Sequence, residues 1–165
     1  LMNKIFLLFI IILAALTRLA PHPPNFLPIF SIALFSGICF RNKFSFLIPL
    51  SIMILSDLYI GNFQMALWVY PSLFAIYIIG FIFVKKVNYL NIITYSMISA
   101  FLFFLITNFG VWIVGYPKTF NGFVTCYTLA IPFFKNTLCA SLFYSSVLYF
   151  IYDYVLRGNL IHTDK

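Results

Sequence analysis

Residues 91–115 read NIITYSMISAFLFFLITNFGVWIVG and form the longest apolar run of the chain. A helix needs about 20 mostly apolar residues to cross a bilayer, and this run exceeds that length without a charged side chain. Its second half differs from the first, because Asn108, Trp112 and, just beyond the run, Tyr116 interrupt the Phe, Leu and Ile background. Polar groups in such a setting need internal partners or a ligand, since lipid offers none.

The composition of the whole chain agrees with a membrane location. Of its 165 residues 64% are hydrophobic and 8% are charged, whereas about a quarter are charged in soluble domains. The chain is predicted to be an integral membrane protein with one transmembrane domain over residues 1–165. The net charge of +7 is interpreted as membrane topology and not as nucleic-acid binding.

The apolar pattern predicts an all-α protein with about six transmembrane helices. A short apolar segment, 123–134, is interrupted by Pro132 and predicts a re-entrant or interfacial half-helix before the last span. The six predicted spans are 5–20, 26–40, 44–61, 65–84, 91–115 and 136–156.

Basic residues set the predicted orientation. An arrangement with both termini inside places six of them on the inner side and three on the outer side, which the positive-inside rule favours. The protein is therefore predicted to be a multi-pass membrane protein with both termini on the inner side. The inner residues are Lys4, Arg41, Lys43, Lys85, Lys86 and Arg157, and the outer ones are Arg18, Lys118 and Lys135.

With this orientation the polar residues gather in the outer half of the protein. Asn108, Trp112 and Tyr116 recur every four residues and share one helix face. We expect this face to line a pocket that opens outward. The alternative is an interfacial belt of aromatic residues with one interhelical hydrogen bond from Asn108.

The ionisable residues of the outer half allow more than one role. Arg18 and Asp57 have opposite charges at a similar depth, so a structural salt bridge is favoured over direct contact with a ligand. Lys135 suits either the lipid headgroups or an anionic ligand. His22 has no second histidine or carboxylate at ligand spacing, so no metal is predicted.

No catalytic residue and no cofactor are predicted. The sequence contains neither H-E-x-x-H nor G-x-S-x-G. A membrane enzyme built around Asp57 and His22 is the weakest of the alternatives.

The chain contains the motifs RLAPHPPNF (18–26) with ALFSG (33–37), LSD (55–57), TNFGVW (107–112) with YPKT (116–119), and CY (126–127) with IPFFKNT (131–137). These motifs resemble those of an uncharacterised bacterial family that is labelled as a transport protein. That family is similar in turn to the substrate-binding S components of energy-coupling factor (ECF) vitamin transporters. The resemblance covers nearly the whole chain, and it implies uptake of a small molecule and a location in a bacterial inner (plasma) membrane.

The resemblance leaves the energising partner open. Many S components carry small residues four apart in their first helix for docking on a transmembrane partner. Ala14, Ala15 and Ala20 do not give this spacing. Docking on an energising transmembrane partner and action as a solitary transporter therefore both remain open.

We therefore expect a protein of the lipid bilayer that binds a small, vitamin-like metabolite from the outer side for its uptake. The alternative is a structural or assembly subunit of a membrane complex. The predicted substrate-binding residues are Arg18, His22, Asn25, Asp57, Asn108, Trp112, Lys135 and Asn136.

Overall fold

The computed structural model describes residues 16–17, 21, 23–40, 43–61 and 63–161, with side chains as far as residue 154. Within these residues the structure is all-helical and contains no strand, which confirms the predicted fold class at that level. The predicted first span, 5–20, lies almost wholly outside the described residues. The helices are α1 (Ile29–Phe40), α2 (Leu47–Ile60), α3 (Ala66–Ile78), α4 (Tyr89–Gly115) and α5 (Phe120–Ile161), and the π-helical turn Ile79–Phe83 continues α3.

Helix α1 is the core of the bundle. Every residue from Ile29 to Ile38 is buried, and the helix contacts α2, α3, α4 and α5. A helix that is apolar on all faces is covered either by lipid or by other helices, and here other helices cover it. The short α1 is therefore the element around which the longer helices pack.

Two glycines allow α1 and the end of α3 to approach each other closely. A Cβ atom added at Gly37 would collide with the carbonyl oxygen of Tyr77, and one added at Gly80 would collide with that of Leu34. Small residues at such crossings are typical of helices that pack within a membrane.

Helix α5 corrects the sequence prediction. The segment 123–134 is not a separate re-entrant or interfacial half-helix, because α5 runs from Phe120 to Ile161 with Pro132 inside it. Contacts with α4 hold the helix on both sides of this proline. Before it, the Tyr127 hydroxyl donates to the Leu105 carbonyl over 2.7 Å; after it, the Ser141 hydroxyl donates to the Ser96 carbonyl over 3.1 Å.

The start of α5 also lies earlier than expected. The apolar segment that the sequence predicts begins at residue 123, but the Thr119 hydroxyl accepts a hydrogen bond from the Gly122 N–H over 3.1 Å. This is the usual side-chain cap of a helix N-terminus. It allows the helix to begin at Phe120.

Two of the described helices are long and apolar enough to cross a membrane, and six separate spans are not supported. These two are Ala66–Phe83, with 18 residues, and Tyr89–Gly115, with 27 residues. The apolar helices α1 and α2 are shorter, with 12 and 14 residues. In the most apolar 18-residue window of each of these two helices, 28% and 22% of the residues are buried inside the protein, and both helices expose large apolar side chains.

Candidate functional site

A cavity of about 330 Å³ lies between α3, α4, α5 and the loop that precedes α1. The loop contributes Asn25, and the segment after α4 contributes Tyr116. The described lining residues are Asn25, Met65, Val69, Phe103, Thr107, Asn108, Val111, Tyr116, Cys126, Leu129, Ala130 and Phe133.

One face of α4 forms a large part of the wall. Phe103, Thr107 and Val111 follow each other at intervals of four residues, so they lie one above another on the helix. Asn108 lies beside this row and also lines the cavity. The row is thus shifted by one residue from the expected helix face of Asn108, Trp112 and Tyr116. Trp112 is not among the described lining residues.

Asn108 is fixed by its own helix and by α5. Its side-chain Nδ2 donates to the Phe104 carbonyl over 2.8 Å, and its backbone carbonyl accepts from the Cys126 thiol over 3.5 Å. An Asn side chain offers two N–H donors and a carbonyl acceptor. The second N–H and the side-chain oxygen make no hydrogen bond to the described residues, so both are available to a molecule in the cavity.

Asn25 reaches the cavity through an unusual backbone conformation. Its φ of 62° lies in the left-handed region, which Asn tolerates better than most residues. The preceding carbonyl, of Pro24, accepts a hydrogen bond from Nδ2 of Asn136 over 3.0 Å. Asn136 is not among the described lining residues, and it connects the loop that carries Asn25 to α5.

Phe26 gives the same loop a second attachment to α5. Its ring packs 6.4 Å from the ring of Phe143 and 5.8 Å from that of Tyr144, measured between centroids. Its backbone N–H closes a turn by donating to the Pro23 carbonyl over 3.0 Å. The position of Asn25 is therefore set by contacts on both sides of it.

Trp112 and Lys118 close the end of α4. The Trp112 indole donates to the Pro117 carbonyl over 3.1 Å and packs edge-on against the ring of Phe123. The Lys118 ammonium donates to the carbonyls of Trp112, Ile113 and Tyr116. A cation is favourable at the negative end of a helix, and this capping explains both residues without a ligand.

The remaining predicted residues lie apart from the cavity or outside the described residues. Asp57 is buried on α2 and accepts a hydrogen bond from the Tyr70 hydroxyl over 2.7 Å. Lys135 is exposed on α5 and is not among the described lining residues. Arg18 and His22 are outside the described residues, so the predicted Arg18–Asp57 salt bridge stays a prediction.

The described wall of the cavity is mostly apolar and carries a few polar groups. The described lining residues include no Asp, Glu, Lys, Arg or His, and their polar side-chain groups are two amides, two hydroxyls and one thiol. Among the described residues, no group of three His, Cys, Asp or Glu side chains could hold a metal ion. Apolar walls with a few placed polar groups are typical of small-molecule sites.

Sequence reasoning selected Asn25 and Asn108, which share the cavity, but not Thr107 or Cys126. Cys126 has no metal-ligand spacing in the sequence, and a cysteine of this kind is typical of packed helices, so on this basis the sequence gives no reason to select it. The sequence does contain a pattern that could have identified them, namely lining residues four apart on one helix. These pairs are Cys126 and Ala130 on α5, and Thr107 and Val111 on α4. This pattern becomes informative once α5 is known to begin before Cys126.

A family model described as "Family of unknown function (DUF6580)" matches residues 2–161. The chain therefore belongs to this family. Comparison with curated proteins and with solved structures gives no match.

Proposed function

We propose that this member of the DUF6580 family is a multi-pass protein of a bacterial inner membrane that binds a small, uncharged metabolite from the outer side for its uptake. The cavity between α3, α4, α5 and the loop before α1 is the proposed binding site. Asn25 and Asn108 orient the ligand by hydrogen bonds. Phe103 and Phe133 supply aromatic surface for a flat, partly apolar molecule.

The observation that carries this proposal is the meeting of Asn25 and Asn108 in one cavity. They are far apart in the chain, and one lies in a loop while the other lies on α4. The Asn25 side chain makes no hydrogen bond within the part of the chain that the structure describes. A polar side chain turned towards a partly apolar cavity gains a partner when a ligand binds.

The surface of the helices supports the membrane part of the proposal. Leu67 and Leu90 are each 74% exposed and Val114 is 73% exposed, on the two helices that are long enough to span. Soluble monomers rarely expose large continuous apolar areas. The proposed topology has six spans with both termini inside, and it places the cavity on the outer side by the distribution of basic residues.

The resemblance to the S components of ECF transporters supplies the proposed mode of uptake. In this mode the protein captures the ligand, and an energising transmembrane partner drives its release to the inner side. A solitary transporter is the alternative. Co-purification of a second polypeptide together with ligand distinguishes the two.

Mass spectrometry of small molecules retained after gentle purification tests the binding proposal. Ala130→Phe fills the cavity from the α5 wall, because Ala130 lines it and is 6% exposed. Its matched control is Ile131→Phe, because Ile131 is 56% exposed and is not a described lining residue. We expect the wild type and the control to retain one molecule that Ala130→Phe loses.

Equal retention by both variants would refute the cavity as the binding site. A protein that carries no small molecule and is stable only beside another polypeptide would instead favour the structural or assembly subunit.

A further inference from the structure

A cluster of buried serines lies between α1, α4 and α5, away from the cavity. Its hydroxyls connect the three helices, because Ser145 donates to the Ser31 oxygen over 2.9 Å and Ser31 donates to the Ser141 carbonyl over 3.1 Å. Ser141 in turn donates to the Ser96 carbonyl over 3.1 Å. The cluster comprises Ser31, Ser96, Ser99, Ser141 and Ser145, each at most 1% exposed.

Within the part of the chain that the structure describes, two hydroxyls of this serine cluster have no hydrogen-bond partner, those of Ser96 and Ser99. Other hydroxyls on the same helix bond to their own backbone, as Thr94 does to the Leu90 carbonyl and Thr107 does to the Phe103 carbonyl. Ser96 and Ser99 do not use that arrangement. Leaving a buried hydroxyl without a partner is unfavourable, and it is commonly resolved by an internal water molecule.

The spacing of the two serines suits a single bridging molecule. Residues three apart on a helix lie on the same side, with Cβ atoms about 5–6 Å apart. Two hydrogen bonds of about 2.8 Å each cover that separation. Ser141 supplies a third partner, because its oxygen still accepts after it has donated to the Ser96 carbonyl.

We propose that Ser96 and Ser99 form a binding site for an internal water molecule between α4 and α5. The bound water completes the hydrogen bonding of the serine cluster. Through Ser141 it links α4 to the hydrogen bonds that connect α1 and α5. This site is independent of the proposed metabolite cavity, so its test requires no ligand.

The sign of a stability change tests this inference. If the hydroxyls bind water, then Ser96→Ala and Ser99→Ala each remove real hydrogen bonds, and the melting temperature in detergent falls by several degrees. If the hydroxyls have no partner at all, each substitution removes an unfavourable group and the melting temperature rises. Ser72→Ala is the control, because Ser72 is equally buried but bonds to the Val69 carbonyl of its own helix.

We expect both variants to melt below the Ser72→Ala control. If the melting temperatures of Ser96→Ala and Ser99→Ala are both equal to or above that of the wild type, the proposal is overturned. A second measurement covers variants that fail to fold: an experimental map of the wild type, at a resolution that shows other ordered waters, should contain a peak within about 3 Å of both hydroxyls. A map without that peak would overturn the proposal.

Discussion

The cavity and the serine cluster are both built on α4 and α5, yet one encloses open space and the other is closed. In the cluster, small side chains bring the helices close enough for Ser141 to reach the Ser96 carbonyl at 3.1 Å. At the cavity, Asn108 of α4 and Ala130 of α5 both line a space of about 330 Å³. The same pair of helices therefore provides a packed interface in one place and a candidate binding site in another.

This difference shows that polar residues in an apolar helix have two distinct roles. Ser31, Ser141 and Ser145 donate their hydroxyl hydrogen bonds across the helix interfaces. All five serines of the cluster are at most 1% exposed. Asn108 bonds one N–H to its own helix and leaves the rest of its amide available. We therefore expect substitutions in the cluster to change stability, and substitutions in the cavity to change ligand binding.

The largest effect is expected from Ser31→Val, in the serine cluster. It adds volume where Ser31 is completely buried, and it removes the hydroxyl that donates to the Ser141 carbonyl and accepts from Ser145. It should therefore lower the free energy of unfolding by about 2–4 kcal/mol. Thr107→Val is the matched cavity variant, because its hydroxyl bonds only to the Phe103 carbonyl of its own helix. It should lose less than about 1 kcal/mol. Denaturation in mixed micelles measures the free energy of unfolding of both variants. Equal losses for Ser31→Val and Thr107→Val would show that the two regions do not differ in this respect.

Trp112→Ala should also act mainly on stability. The indole packs against Phe109 and Phe123 and bonds to the Pro117 carbonyl, so its removal should cost about 2 kcal/mol, below the 3–5 kcal/mol of a fully buried Trp. The amount of small molecule retained per folded protein should change by less than about twofold, since lost stability of this size leaves most of the protein folded. A selective loss of ligand at unchanged melting temperature would place Trp112 in the binding site.

Asn108→Ala should show the opposite behaviour. Loss of a ligand hydrogen bond worth about 0.5–1.5 kcal/mol weakens retention several-fold, whereas the melting temperature should change little. Thr94→Ala on the same helix is the control, because it also removes a bond to the helix backbone and lies outside the cavity. A loss of stability without a loss of ligand would assign Asn108 to helix packing.

The smallest effect is expected from Asn136→Ala. This substitution removes the bond to the Pro24 carbonyl and so loosens the loop that carries Asn25, while Phe26 still attaches it to α5. Ligand retention should fall by about twofold, less than for Asn108→Ala. The reason is that Asn25 is held less firmly, whereas no hydrogen bond to the ligand is removed. Lys135→Ala, the exposed neighbour, is the control and should leave retention unchanged. An equal reduction in both would indicate a general effect on α5.

Local patterns predicted the described helices well where the apolar runs had clear ends. The expected segments 44–61 and 65–84 correspond to Leu47–Ile60 and Ala66–Phe83, because a glycine and turn residues separate them. The error at Pro132 has a physical cause. A proline removes one backbone hydrogen bond, but contacts with α4 on both sides, which no local pattern reveals, keep α5 continuous.

The candidate site was less predictable than the helices. Asn108 was selected because an amide in an apolar run needs a partner. The rotation of α4, which places Thr107 and Val111 in the wall and Trp112 outside it, depends on packing against α3. There Gly110 contacts the Trp68 ring so closely that an added Cβ would collide with it. This contact joins residues of different helices, so periodicity within α4 alone does not reveal it.

The most direct test of the proposed binding site uses Cys126, which lines the cavity. In a Cys39→Ser, Cys139→Ser background it is the one remaining cysteine of the chain, and its modification by N-ethylmaleimide can be followed by mass. Small molecules extracted from the wild-type protein are then added back. We predict that they slow the modification of Cys126 at least severalfold, and that they leave unchanged the modification of Cys139 in a Cys39→Ser, Cys126→Ser protein. If Cys126 is modified at the same rate with and without the added small molecules, in protein that is shown to retain the ligand, the cavity is not the binding site.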